Sequence, residues 1–164
     1  IAAFSKLPTD MKTFPGEEVH SPGNDVHILS LGASSSITDW FMTSSAEYNQ
    51  AVAAEQAKLP DTVPERFKRS IAASYAVWDR IRACGGIAVF CHPYWRPAHR
   101  QYIPAIVSDY LLNTAKFDAM EILNGDSSDL GILHYHELRA QGKTVAGIGV
   151  TDAHSSKNLE PAYP

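Results

Sequence analysis

The chain carries seven histidines, and several stand beside carboxylates in short clusters. The sharpest cluster is Asp152-Ala153-His154, directly after an apolar stretch rich in β-branched residues and glycine. On an extended segment, residues two apart point the same way, so Asp152 and His154 can share one site. His92-Pro93 follows a second apolar run, and the proline stiffens the exit. Glu17-Glu18 forms a third cluster, and neighbours on an extended segment face opposite ways. One of the two is therefore expected in a site and the other in solvent. His27 opens a fourth apolar stretch. Imidazole and carboxylate together are the usual donors for zinc, manganese or iron. Each pattern alone also fits a structural role: a turn aspartate beside a solvated histidine, or a buried histidine bonded to a backbone carbonyl.

Three further groups compete for attention. Arg96, His99 and Arg100 lie just after His92 and read either as an ordinary charged loop or as an anion clamp. His134-Tyr135-His136 looks like a metal pair but falls in a helical pattern. Residues two apart on a helix point about 200° apart, which argues against a shared ion. His20 lies in a loop with no partner that the sequence names.

The elements that must position these groups alternate. Residues 26–31 read as a buried strand closed by Gly32, after a turn at 21–25. Residues 32–45, rich in Ser and Thr, read as a loop. Residues 46–59 are rich in good helix formers and stop at Pro60. Phe67, Ile71, Tyr75, Trp78 and Arg82 then mark one face of a second helix that starts near Pro64 and ends at Gly85-Gly86. The span 46–84 is thus a helical segment. Beyond it, strands at 87–91, 119–123 and 144–150 alternate with helices at 103–114 and 129–140, the pattern of a parallel α/β fold. In such folds sites gather at the C-terminal ends of strands, where Glu18, His92, Asp152 and His154 are expected.

A length of 164 residues with 45% apolar and 20% charged residues fits one globular domain. The net charge of −4 and scattered Lys and Arg leave no nucleic-acid footprint. No apolar run approaches a membrane span, and the opening residues are not expected to be a charged-then-apolar leader. Cys84 and Cys91 lack zinc-knuckle spacing and read as buried thiols, so a reducing cytoplasm is the default expectation.

Five blocks, in order, resemble the PHP family, the polymerase and histidinol phosphatase superfamily. They are Pro15-Gly16-Glu17-Glu18-Val19, Val26-His27-Ile28-Leu29, Gly85-Gly86-Ile87-Ala88-Val89 running into His92-Pro93, Met120-Glu121-Ile122-Leu123-Asn124-Gly125, and Gly149-Val150-Thr151-Asp152-Ala153-His154. The last block carries Thr151 where the family has Ser. The resemblance implies a distorted (β/α)7 TIM-like barrel, of which this chain would be the C-terminal part. It implies two or three divalent ions (Mn, Zn or Fe) and hydrolysis of a small-molecule phosphate ester. By carry-over, Glu18 bridges two ions, His27 binds one and Asp152 the other, and His92 and His154 help hold a third. Glu121 and Asn124 would stand behind the ligands. His154 or His92 would assist the leaving oxygen, and Arg96 or Arg100 would stabilise charge on the phosphoryl group.

One departure stands out. The family's opening His-x-His block, with an Asp and a further His, has no counterpart before Glu18, since residues 1–17 hold no histidine. That implies either a single PHP-like domain whose first strands lie upstream or a degenerate member that binds little metal. Two rival readings follow: an amidohydrolase-like hydrolase, which also uses His and Asp at strand ends, and a non-catalytic domain that kept the fold.

Overall fold

A row of residues, Val19, Ile28, Phe90, Met120 and Gly147, runs in register across neighbouring strands, and its first four members belong to the buried core. These positions belong to a computed structural model that describes residues 10, 14–94, 103–124 and 129–152. The strands are β1 (Gly16–Val19), β2 (Ile28–Leu31), β3 (Ile87–Phe90), β4 (Ala119–Asn124) and β5 (Ala146–Val150). The helices are α1 (Ile37–Thr43), α2 (Ser45–Gln56), α3 (Glu65–Ala83), α4 (Ala105–Thr114) and α5 (Asp129–Ala140). The strands form one sheet in the order β1-β2-β3-β4-β5.

The sheet is mixed. β1, β2 and β3 run antiparallel, while β3, β4 and β5 are parallel. For β1–β2 and for the parallel pairs, connection length accounts for the direction. Residues 20–27 join β1 to β2, too short for the crossover of a dozen or more residues that parallel neighbours need. The links through α4 and α5 are long enough, and they return the chain in parallel. β1 and β5 are the two ends of the sheet, each paired on one side only among the described residues. The expected part of a (β/α)7 TIM-like barrel is therefore not what forms: the structure is a small α/β domain with an open five-stranded mixed sheet and five helices.

The alternation of side chains along each strand sorts the sheet into two faces. The Val19–Gly147 row faces the helices. Ile37 of α1, Val52 of α2, Trp78 and Ile81 of α3, Leu111 of α4 and Leu138 of α5 all belong to one buried cluster with Val19, Ile28, Phe90 and Met120 of that row. Trp78, Phe90 and Phe117 meet with ring centroids 5.5–5.8 Å apart, an edge-to-face cluster at the centre. Gly147 is small for a reason. A Cβ there would sit 2.8 Å from Ile122 Cδ1 and 3.3 Å from the Tyr135 ring, where α5 crosses the sheet.

Helix α1 occupies the segment expected to be a loop. Ile37, Trp40 and Phe41 place an apolar stripe at helical spacing. Ser36 Oγ accepts from Asp39 N at 3.0 Å and caps the first turn. Among the described residues, no helix is long and apolar enough to cross a membrane.

Candidate metal centre

The opposite face of the sheet carries Glu18, Leu29, Val89, Ala119 and Ala146 in the neighbouring row. One step further along the same face come His20, His27, Cys91 and Glu121. The backbone amide of Cys91 donates to the His27 carbonyl at 3.3 Å, extending the β2–β3 pairing to this position. Because β2 runs antiparallel to β3, its first residues lie beside the end of β3. That brings His27, at a strand start, next to His92, just past a strand end.

His92 leaves the alternation. Continued as strand, its side chain would point at the helices. Instead its φ is 24°, in the left-handed region that few non-glycine residues adopt. The turn directs the ring across the end of the sheet toward His27, with the two rings edge-on and 4.9 Å between centroids. The turn is held from two sides. The His92 amide donates to Glu121 Oε2 at 2.8 Å. The Pro93 carbonyl accepts from Ser108 Oγ on α4, and Tyr94 donates to Asp109 Oδ1 of the same helix at 2.6 Å.

Three donor atoms converge. Glu18 Oε1 lies 2.9 Å from His27 Nδ1 and 3.9 Å from His92 Nε2, and His27 Nδ1 lies 2.9 Å from His92 Nε2. The point equidistant from the corners of this triangle, in its plane, is about 2.0 Å from each atom, close to the roughly 2.0–2.2 Å of zinc bonds to His and carboxylate. These three side chains would therefore be able to hold one divalent ion. Among the described residues these three form a group of metal-ligating side chains. His27 and His92 are buried and Glu18 is part-exposed, so an ion would have a solvated side open.

Hydrogen bonding fixes how His92 presents itself. Its Nδ1 lies 3.0 Å from Glu121 Oε2. An ionised carboxylate only accepts, so Nδ1 carries a proton, and Nε2 is the nitrogen turned toward Glu18 and His27. Asn124 Nδ2 donates to the same Glu121 oxygen at 2.8 Å. It also approaches His92 Nδ1 at 3.1 Å, but both atoms bear protons aimed at Oε2, so this is proximity rather than a bond. A carboxylate behind a metal-binding imidazole is the usual means of fixing its tautomer and orientation.

Electrostatics favours the ionised carboxylates. The hydrogen bond from His27 brings the Glu18 carboxyl down from 4.5 to about 2, against the opposing effect of burial, with the charges of His27, His20 and His92 adding to it. For Glu121, burial pushes upward, but the bonds from His92 and Asn124 together outweigh it and hold the group below its ordinary range. Burial, with the nearby Glu121 and Glu18, raises the Cys91 thiol well above its usual value, so this thiol is not primed as a nucleophile.

The other expected site residues divide into two sets. Asp152 follows β5, is exposed and has φ 50°. It sits at the sheet edge that also holds His92, but two strands away, roughly 10 Å by strand spacing. It is not part of the three-residue group. His154, Arg96, His99 and Arg100 lie outside the described residues. His134 and His136 are on α5, where His134 Nδ1 pairs with Glu137 Oε2 at 2.8 Å and its ring stacks on Tyr94.

Two residues behave differently from the sequence reading. Glu17 is not a solvated bystander. Its carboxylate accepts from the Ile37 amide, from Thr38 N at 3.3 Å and from Ser36 Oγ at 3.1 Å, capping α1. His20, expected to have no partner, has Nε2 at 3.4 Å from Glu18 Oε1 and its ring 4.1 Å from that of His27. The signal that would have found it is the Glu-x-His spacing on one strand, the same argument applied to Asp152 and His154. Comparison of the chain with protein-family models and with curated proteins finds no match.

Proposed function

We propose that this chain is a metal-dependent phosphoesterase that hydrolyses a small-molecule phosphate ester, with Glu18, His27 and His92 holding a divalent ion. The observation that carries the proposal is the triangle of Glu18 Oε1, His27 Nδ1 and His92 Nε2, sized for one ion. The ordered resemblance of five blocks to the PHP family supplies the reaction class. A divalent ion bound there would supply a hydroxide from water near neutral pH and polarise the phosphoryl oxygens.

The chain's own residues set the conditions. Glu18 would contribute one negative charge directly to the ion, and the Glu121 carboxylate a second from behind His92. Glu121 keeps the proton of His92 on Nδ1, away from the ion, and Asn124 keeps Glu121 in place. The part-exposed side, where Glu18 and His20 stand, admits substrate and water. On the resemblance, Asp152 and His154 would serve a neighbouring ion, and Arg96 the phosphoryl oxygens.

The test is turnover of p-nitrophenyl phosphate and its bis-ester with added manganese or zinc. The wild-type chain is expected to show metal-stimulated hydrolysis. Glu18→Ala is expected to lower it by about 100-fold or more, the scale of losing a principal charge-stabilising group. Absence of metal-stimulated turnover, or undiminished turnover in Glu18→Ala, refutes the proposal.

A further inference from the structure

We propose that His20 is a fourth protein ligand to the same ion, an inference that rests on the three-residue centre above. The antiparallel β1–β2 pairing places His20 across from His27 and two residues beyond Glu18, on the same face of the sheet. Its Nε2 already lies 3.4 Å from Glu18 Oε1, the oxygen that His27 and His92 also approach. Two donors on one ion with bonds near 2.05 Å are about 3.4 Å apart at a tetrahedral angle and about 2.9 Å apart at a right angle. The Glu18–His20 separation is thus that of a shared ligand edge.

The His20 side chain is 57% exposed, so it fills no gap in the core and costs little to move. It stands just outside the converged group, and a side-chain rotation would bring Nε2 to the ion beside Glu18, with a fifth position left for water. Its ring is tilted 34° against His27, which keeps it beside the centre rather than directed into solvent. Three imidazoles and one carboxylate form a borderline donor set of the kind that suits zinc or iron(II).

Cobalt(II), added alone as a spectroscopic stand-in, tests this on the full chain. Binding is followed by equilibrium dialysis and visible absorption in the wild type, His20→Ala, His20→Cys and His92→Ala. His20→Ala is expected to weaken binding by about 100-fold, in line with losing one donor of four. Its ligand-field bands should also shift, while its metal-free melting temperature stays that of the wild type. His20→Cys is expected to add a sulfur-to-cobalt charge-transfer band that the wild type, despite Cys84 and Cys91, lacks. Unchanged affinity and bands in His20→Ala, with no new band in His20→Cys, overturn the role of His20 while the three-residue centre stands if His92→Ala loses the metal. A wild-type chain that takes up no cobalt overturns both.

Discussion

Replacing Glu121 with Gln probes the centre without touching an ion ligand. Glu121 Oε2 accepts three hydrogen bonds, from the His92 amide at 2.8 Å, from His92 Nδ1 at 3.0 Å and from Asn124 Nδ2 at 2.8 Å. Its side chain is only 6% exposed, so water cannot take over the task. Glutamine keeps the shape and one carbonyl oxygen, so the amide and Asn124 bonds survive. What goes is the negative charge facing His92 Nδ1, and with it roughly half the strength of that bond. Losing a partner of this kind costs about 10–100-fold in metal affinity. The retained carbonyl places Glu121→Gln near the lower end, about 10-fold or about 1.4 kcal/mol. Competition for zinc against a chromogenic chelator at neutral pH reads this directly, with His92→Ala as the reference for a lost ligand. Unchanged zinc affinity in Glu121→Gln, beside a large loss in His92→Ala, would refute the view that Glu121 prepares His92. A loss equal to that of His92→Ala would make Glu121 a ligand in its own right.

Two further expectations follow from the same geometry. Glu17→Ala removes the acceptor at the start of α1 and is expected to cost about 1 kcal/mol of stability, measurable by urea unfolding, with little effect on zinc affinity. Equal stability of Glu17→Ala and wild type would show that Ser36 caps the helix unaided. Glu18 has a folded pKa of about 2 against an ordinary 4.5, so its stabilisation is complete above pH 4.5 and is lost as pH falls toward about 2. The shift alone would correspond to about 3 kcal/mol, but a side chain 34% exposed is screened, leaving about 1–2 kcal/mol. Metal-free wild type should therefore exceed Glu18→Gln by that margin at pH 6, and the gap should close on acidification. A gap that persists at pH 2 would assign the stabilisation to something other than the carboxylate charge.

The second half of the chain was legible because its signals are local. Continuous apolar runs at 87–91 and 119–123, separated by helical stretches, specify buried parallel strands, and they form as β3 and β4 with α4 between them. The first half misled for two reasons. The short link 20–27 favours antiparallel β1–β2 pairing, but β2 also runs antiparallel to β3 although residues 32–86 between them are long enough for a crossover, a direction that local spacing does not specify. His27 was therefore placed at a strand start, away from the expected site edge, and only the family resemblance named it as a ligand. In the antiparallel pair that start is the site edge. Helix α1 was hidden by its Ser and Thr content, although Ile37, Trp40 and Phe41 carry the buried stripe. The position of His92 depends on a left-handed backbone turn, and the partner of its ring comes from a strand 29 residues away. Neither is written in local spacing.

Anomalous diffraction from crystals of the chain soaked in zinc would test the central claim most directly. The account predicts a peak within roughly 2.0–2.2 Å of Glu18 Oε1, His27 Nδ1 and His92 Nε2. Zinc bound elsewhere, with those three atoms still joined only by hydrogen bonds, would contradict it.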